Sequence, residues 1–306
     1  MNTNKKLVYE DKMILNGIDT VSGFIPTKLI EPPKEVSCNV SRYTVKPNDK
    51  AYMKVNANKS KGNGERLITR YKDFVTKMDT ILGAFGCKYS DMELTRADFC
   101  FNSDDEQSFG EYQKLHRLII SCLAKAYGYK NCYVSCDLWD FSRLSMAIKK
   151  DDSEAENYNK AKASNGTDES ANRLELRSLR MNGTDIKYQF MKLWFERLDK
   201  ALKCFEETQN EYNNHLERLY KEDLQKPPKE RNYLSLESFL LQYKECIYAR
   251  RQMIDLMGRF EEVGKEKAEK RADKFKEKHK IEYFSKADLR YIIDVLKKKT
   301  REYFEE

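Results

Sequence analysis

Histidines, paired metal-binding cysteines and long apolar runs are all scarce in this 306-residue chain. It has three histidines, and no two of its eight cysteines are separated by two residues, so the usual ligand pattern of a structural zinc ion is missing. No stretch reaches the ~20 apolar residues that a membrane-spanning helix needs, and residues 1–17 lack the apolar core of a signal peptide. We therefore expect a cytoplasmic protein with reduced cysteines, without a structural zinc ion and without a membrane partner.

The net charge of the chain is also small. The chain has 57 Lys and Arg against 50 Asp and Glu, a formal net charge of +7. This mildly basic balance favours a nucleic-acid partner without identifying one. The length exceeds that of one average domain, and a hydrophobic fraction of 40% is enough for two compact units.

The texture of the chain changes near residue 184. Before that point, short alternating runs separated by turn residues predict strands, with one helix over residues 109–127. The predicted strands cover residues 13–25, 51–55, 66–69, 94–102, 132–136, 144–149, 155–160 and 173–177. We therefore predict an α+β protein, with an antiparallel-sheet domain over residues 1–184 and an all-helical domain over residues 185–306.

Helical periodicity dominates the second part. Apolar residues at three- and four-residue steps predict one long helix over residues 186–223, which ends before two prolines. A second helix, capped by Ser235, is expected to run to Phe260, and a lysine-rich third helix to His279. A last helix begins near Ser285, where Ser285 and Asp288 resemble a capping box.

Charged side chains share one face on three of the predicted strands, because residues two apart in a strand point the same way. A hairpin about Asn165-Gly166 would bring the last two of these strands together. The three sets are Arg96 and Asp98; Glu156, Tyr158 and Lys160; and Arg173, Glu175 and Arg177. Such a face could hold a hard cation and a phosphate beside a tyrosine. The alternative is a solvated sheet face with ordinary cross-strand ion pairs.

Three short motifs resemble those of one family. LTRADFCFN, ENYNK and RLELR, which begin at Leu94, Glu156 and Arg173, follow one another as in the rolling-circle replication initiators of the Rep_trans family and in related relaxases of integrative conjugative elements. Gly17-Ile18-Asp19 also resembles the first strand of that family, so the likeness spans residues 13–180. It departs from the family in the acidic segment before Tyr158.

The resemblance implies a Rep-like nicking domain. Its catalytic tyrosine would be Tyr158, with Tyr133 and Tyr188 as the next candidates. Asp98 and Glu175 would be ligands of Mg²⁺ or Mn²⁺, and Arg173 or Lys160 would contact the phosphate. His116, on the helix after the Asp98 strand, could complete the metal site.

The C-terminal helices carry a basic surplus. Residues 264–301 contain 14 Lys or Arg against 7 Asp or Glu. On the last helix, Arg290, Lys297 and Arg301 lie near one side, and we predict that they contact DNA. The family resemblance also places origin recognition in this part of the chain.

Three functions remain open at this point. The first is a replication initiator of a mobile genetic element, which nicks DNA at a specific site and transfers the strand through a phosphotyrosine. Its partners would be single- and double-stranded origin DNA, with a host helicase and a second copy of the chain as further candidates. The second is a non-catalytic DNA-binding regulator or partition protein of a plasmid or phage, and the third is a helical scaffold.

Overall fold

Strand pairing over the first 180 residues produces one eight-stranded sheet, in the order β2-β3-β1-β4-β8-β7-β6-β5, with antiparallel neighbours throughout. The computed structural model describes residues 14–60, 65–103, 109–131, 145–160, 172–183, 185–244 and 247–305. The strands are β1 (Ile14–Pro26), β2 (Val40–Lys46), β3 (Lys50–Val55), β4 (Glu93–Ser103), β5 (Lys130–Asn131), β6 (Ser145–Lys150), β7 (Ser153–Asn159) and β8 (Asn172–Ser178). The predicted strand over residues 132–136, Tyr133 and the predicted turn at Asn165-Gly166 lie outside the described residues.

Two of the described helices lie between strands in the chain order, and the others follow the last strand. The helices are α1 (Tyr71–Gly83), α2 (Phe109–Tyr127), α3 (Ile186–Lys203), α4 (Phe205–Leu224), α5 (Leu236–Gln242), α6 (Arg250–Glu261), α7 (Lys265–His279) and α8 (Lys286–Glu305). The predicted α+β class is therefore correct, and most of the helices lie in the C-terminal part. None of the helices in the described ranges is long and apolar enough to cross a membrane.

The two faces of the sheet differ because β4 alternates apolar and polar residues. Phe99 and Phe101 are buried on the face that packs against the helices, where the ring centroid of Phe99 lies 5.1 Å from that of Phe190 in α3 and 5.2 Å from that of Tyr303 in α8. We call this side the apolar face. The opposite side, which carries Asp98, is called the polar face.

The helices contribute to two hydrophobic cores, and the division between these cores does not fall at the predicted boundary at residue 184. Helices α3 and α8 contribute to the same core as the sheet. A second core forms among the end of α4 and helices α5, α6 and α7, with Leu216, Phe239, Leu240, Ile247, Met253, Leu256, Met257, Ala268, Ala272, Phe275 and Ile281. The chain thus leaves the sheet core within α4, contributes Tyr248 to it before α6, and returns to it from Phe284 through α8.

Helix ends differ from the predictions where apolar periodicity continues through a break. The predicted helix over residues 186–223 is two helices that meet at Cys204, whose backbone (φ −87°, ψ 6°) departs from helical geometry. The helix predicted from Ser235 to Phe260 is likewise divided into α5 and α6. The predicted caps are confirmed: the Ser235 side chain accepts a hydrogen bond from the Ser238 amide, and Ser285 and Asp288 bond reciprocally.

Candidate active site

Strands β4, β8 and β7 are neighbours, and their register places the predicted site residues side by side. Asp98 lies opposite Arg177 on β8. Glu175 lies opposite Cys100, which is two residues after Asp98 on β4 and therefore points to the same face. Across the β7–β8 pair, Tyr158 lies opposite Arg173. Asp98 and Glu175 therefore lie on adjacent strands with their side chains on the polar face, as predicted, together with Tyr158 and Arg173.

Arg177 is the hub of one half of this surface. Its Nε donates to Glu175 Oε1 at 2.9 Å, and its Nη2 donates to Glu156 Oε2 at 2.6 Å. Its Nη1 bonds Glu154, and its Nε lies 4.0 Å from Asp98 Oδ2. One guanidinium thus faces four carboxylates, which belong to three strands.

Asp98 is 2% exposed, and the cation closest to it, Arg96, lies on its own strand. Arg96 Nε donates to Asp98 Oδ1 at 2.7 Å and Arg96 Nη2 to Oδ2 at 2.8 Å, a bidentate pair. Burial raises the pKa of Asp98 to about 6; the charge of Glu175 adds to the rise, and Arg96 opposes it. The carboxyl group therefore titrates near neutrality.

Tyr158 joins the two halves of the surface. Its hydroxyl donates to Glu175 Oε2 at 3.0 Å and accepts from Arg173 Nη1 at 3.4 Å. Burial and the charge of Glu175 raise the pKa of Tyr158 well above its usual value, although Arg173 acts in the opposite direction. The neighbouring cations therefore do not lower the pKa of the Tyr158 phenol.

Arg173 is the hub of the second half and is 1% exposed. Its Nε donates to Asn102 Oδ1 at 2.8 Å, and its Nη1 to Asp19 Oδ1 at 2.6 Å. Burial alone would raise the pKa of Asp19, but the charge of Arg173, a hydrogen bond with Glu65 and the charge of Lys160 together hold that pKa well below its usual range. Arg173 is therefore fixed beneath the Tyr158 hydroxyl and does not project freely to the surface.

Lys160 and Glu65 complete this half. Lys160 Nζ lies 3.0 Å from Glu65 Oε1, and Arg173 Nη1 lies 3.8 Å from the same oxygen. Burial and the charge of Asp19 raise the pKa of Glu65. Altogether the linked residues comprise six carboxylates and four cations, a formal surplus of two negative charges.

We call this group the ionic cluster. Its members are Asp19, Glu65, Arg96, Asp98, Glu154, Glu156, Tyr158, Lys160, Arg173, Glu175 and Arg177.

His116 is not part of the ionic cluster. Its Nδ1 lies 2.8 Å from Asn172 Oδ1, and Asn172 points away from Arg173, its neighbour in β8, toward the apolar face. Burial lowers the pKa of His116 to about 4. The predicted role as a third metal ligand is therefore inconsistent with the position of the side chain, because the sheet separates it from Asp98 and Glu175.

The three predicted DNA contacts of α8 differ in exposure. Arg290 and Arg301 are exposed, and Arg301 lies with its guanidinium 4.8 Å from the centroid of the Phe195 ring. Lys297 is only 7% exposed and forms an ion pair with Asp199 of α3. Lys297 thus joins two helices, and its side chain is not exposed as the predicted DNA contact would require.

Several members of the ionic cluster were not among the predicted site residues. Arg96, Glu156 and Arg177 follow from strand alternation, since each lies two residues from a predicted member. Glu154 lies two residues before Glu156 and continues the same face. Asp19 lies at an irregularity in the β1–β4 register between Ile18 and Thr20, and Glu65 lies outside any strand. No periodic signal marks those two carboxylates.

Asp98 and Glu175, the two predicted metal ligands, can be compared with the ligand sets that metal ions use in proteins. Among the residues that the structure describes, no three His, Cys, Asp or Glu side chains form a group that could hold a metal ion. Asp98 and Glu175 offer two carboxylates, and Mg²⁺ sites commonly use one or two, with water and substrate phosphate as the other ligands. The pair fits such a cation in ligand chemistry, and the register places both residues on the polar face of adjacent strands. Their oxygens accept hydrogen bonds from Arg96, Arg177 and Tyr158 in this structure.

Comparison of the chain with protein-family models, with curated proteins and with solved structures finds no match. The resemblance to Rep_trans initiators therefore stays a prediction that rests on the three motifs.

Proposed function

We propose that this protein is a replication initiator of a mobile genetic element, which nicks DNA and transfers the strand through a covalent link to Tyr158. One observation carries the proposal: the Tyr158 hydroxyl lies between a carboxylate at 3.0 Å and a guanidinium at 3.4 Å, within a surface of charged residues. Phosphoryl transfer to a tyrosine requires a proton acceptor and a positive charge near the phosphate.

The chemistry assigns separate tasks to these residues. Tyr158 Oη attacks phosphorus, its proton passes to Glu175 Oε2, and the bond from phosphorus to the 3′ oxygen breaks, with water supplying the proton that the leaving oxygen takes up. A 5′-phosphotyrosine forms, and the released 3′-OH can prime synthesis. Arg173 is fixed by Asp19 and Asn102, so it can balance charge near the attacking oxygen without reorganising.

Asp98 and Glu175 would hold Mg²⁺ or Mn²⁺ in this proposal. Such a cation, when bound, would polarise the scissile phosphate and offset the carboxylate charge that raises the pKa of Tyr158.

A non-catalytic DNA-binding regulator is the second candidate. It is favoured by the ion pairs within the ionic cluster, since Arg96, Lys160, Arg173 and Arg177 all contact carboxylates. In that case the ionic cluster would stabilise the sheet, and DNA would bind elsewhere.

Replacement of Tyr158 by Phe separates the two candidates. The variant removes one oxygen, so we expect it to fold, with a loss of about 1 kcal/mol from one hydrogen bond, and to form no covalent adduct with single-stranded origin DNA in Mg²⁺ or Mn²⁺. Tyr291→Phe is the matched control, because Tyr291 is 50% exposed on α8 and is not a candidate nucleophile. The readout is the retarded band of a protein–oligonucleotide adduct on a denaturing gel.

An adduct formed by Tyr158→Phe would assign the nucleophile to another tyrosine. If the wild-type protein formed no adduct with either metal on its own origin, the regulator would become the better candidate.

A further inference from the structure

Helix α7 is exposed around most of its circumference. It pairs with α6 through a short turn, in which Glu262 adopts a left-handed conformation (φ 50°). The residues of α7 that are buried against its neighbours are Ala268, Ala272 and Phe275, which form one narrow line at four- and three-residue steps. Two of the three are alanines, so α7 can lie close to its neighbours while its outer side remains in solvent.

Four exposed lysines form a line along α7. Lys267, Lys270, Lys274 and Lys278 follow one another at steps of three, four and four residues. At 3.6 residues per turn, they fall within an arc of roughly 80° and extend over ~16 Å. We call them the basic stripe.

The opposite flank of α7 has a smaller excess of positive charge. There Lys265 and Lys276 lie near Glu269 and Asp273, and Lys280 follows the end of the helix. Asp273 is already paired, since Arg250 Nε and Nη2 donate to its two oxygens at 2.8 Å. The helix therefore has a side with four lysines and a flank with a formal charge of only +1.

The ion pairs of the basic stripe are of the kind that a phosphate can replace. Lys270 pairs with Glu266 at 2.6 Å, with side chains 76% and 84% exposed, and Lys278 pairs with Glu237 at 2.5 Å. Exposed pairs of this type contribute ~0–1 kcal/mol and weaken with salt. Lys267 and Lys274 form no ion pair within the described part of the chain.

We propose that the basic stripe binds the phosphate backbone of duplex DNA. An α-helix of ~10–12 Å diameter fits the ~12 Å major groove, and a line of lysines along one flank can follow a strand of phosphates. The exposed positions of α7 are all charged or histidine. No aromatic ring is available there to stack on single-stranded bases, and no apolar side chain to enter a lipid surface.

The basic stripe takes the place of Lys297 as a candidate duplex contact. The helix that carries the basic stripe packs in the second core, whereas the ionic cluster lies on the sheet. This inference rests on the proposed function only for the choice of DNA as ligand. Duplex binding through α7 and covalent chemistry at Tyr158 are thus separable by mutation.

The test compares two triple variants of the full chain with equal charge change on the same helix. Lys267→Gln, Lys270→Gln and Lys274→Gln neutralise the stripe, and Lys265→Gln, Lys276→Gln and Lys280→Gln neutralise the other flank. Fluorescence anisotropy with a duplex of about 30 base pairs and mixed sequence is measured between about 50 and 200 mM salt. Circular dichroism checks that both variants fold.

We expect the stripe variant to reduce the slope of log affinity against log salt by up to ~2.7, which is ~100-fold in affinity near 0.15 M salt, because each phosphate contact contributes about 0.9 to the slope. The flank variant should keep the wild-type slope. Equal losses in the two variants, or no loss in the stripe variant, would overturn the proposal.

A parallel adduct assay on a short single-stranded oligonucleotide distinguishes this inference from the proposed function. If the stripe variant loses duplex affinity and the wild-type protein forms no adduct, the result supports the duplex-binding surface and contradicts the nicking activity. If the wild-type protein forms the adduct but the salt slopes of the wild type and of the two triple variants are equal, the result supports the nicking activity and contradicts the duplex-binding surface.

Discussion

Asp98 shows how one carboxyl group responds to burial and to three charges. Burial and the charge of Glu175 destabilise its charged form, whereas Arg96 and Arg177 stabilise it. The balance raises its pKa to about 6, well above that of a free aspartate. Protonation below that pH would remove the charge through which Asp98 could bind a cation.

The pH dependence of adduct formation follows from this balance. Because the protonated form of Asp98 predominates below about pH 6, the rate should rise as the pH increases through 6 and then level off. Arg96→Gln removes the hydrogen bonds that oppose the rise, so the midpoint should move to higher pH. Adduct rates at fixed metal concentration, together with NMR titration of the Asp98 carboxyl carbon, measure both midpoints.

Lys50→Gln is a suitable control for that experiment, because Lys50 pairs with Glu93 at the sheet surface, outside the ionic cluster. A midpoint that stays the same in Arg96→Gln would show that Asp98 does not limit the rate.

At the scale of elements, the segment between β3 and α1 positions half of the ionic cluster. Asn58 Nδ2 donates to the Ile18 carbonyl at 3.0 Å, and Asn58 Oδ1 accepts from the Ile68 amide at 2.9 Å. The segment lies so close to β1 that an alanine Cβ at Gly17 would lie 2.3 Å from the Ile68 carbonyl oxygen. Asn58 thus fixes the irregularity that carries Asp19 and the segment that carries Glu65.

Loss of the Asn58 side chain should therefore weaken this attachment. Asn58→Ala leaves buried polar groups of β1 and of the segment without partners, and we expect a loss of about 1–3 kcal/mol in the free energy of unfolding. Urea denaturation measures the loss, and faster hydrogen exchange at the Ile68 amide would locate it. Asn182→Ala, at an exposed position, should change stability by less than ~0.5 kcal/mol. An Asn58 variant as stable as this control would contradict the assigned role.

The same elements explain what the sequence could and could not predict. Strand alternation correctly placed Asp98, Tyr158, Arg173 and Glu175 on one face, because a period of two is enforced wherever the other face is buried. Strand alternation could not place Asp19, because the pairing of β1 with β4 is irregular between Ile18 and Thr20. His116 was assigned to the wrong side because helical periodicity does not specify which face of a sheet the helix covers.

At the scale of the whole molecule, the last helix completes the first core. Tyr303 and Phe304 of α8 contact Phe99 of β4 and Tyr71 of α1. Asn16 Nδ2 in β1 also donates to the Lys299 carbonyl, 283 residues away, at 2.9 Å. Periodicity predicted α8 as a helix, but such long-range contacts have no local signature, so the prediction placed α8 in a separate domain.

Removal of α8 should consequently disrupt the sheet as well as any DNA contact. A chain that ends after Phe284 lacks the buried side chains of Ile292, Leu296, Tyr303 and Phe304. Truncation of a single buried aromatic residue to alanine typically costs about 3–5 kcal/mol, against a total stability of about 5–15 kcal/mol. We expect the shortened chain to lose cooperative thermal unfolding and near-ultraviolet circular dichroism, and Phe304→Ala to lower the free energy of unfolding by about 3 kcal/mol or more. Arg290→Gln, at an exposed position of the same helix, should unfold like the wild-type protein. If the shortened chain kept the wild-type unfolding midpoint, α8 would not belong to the sheet core.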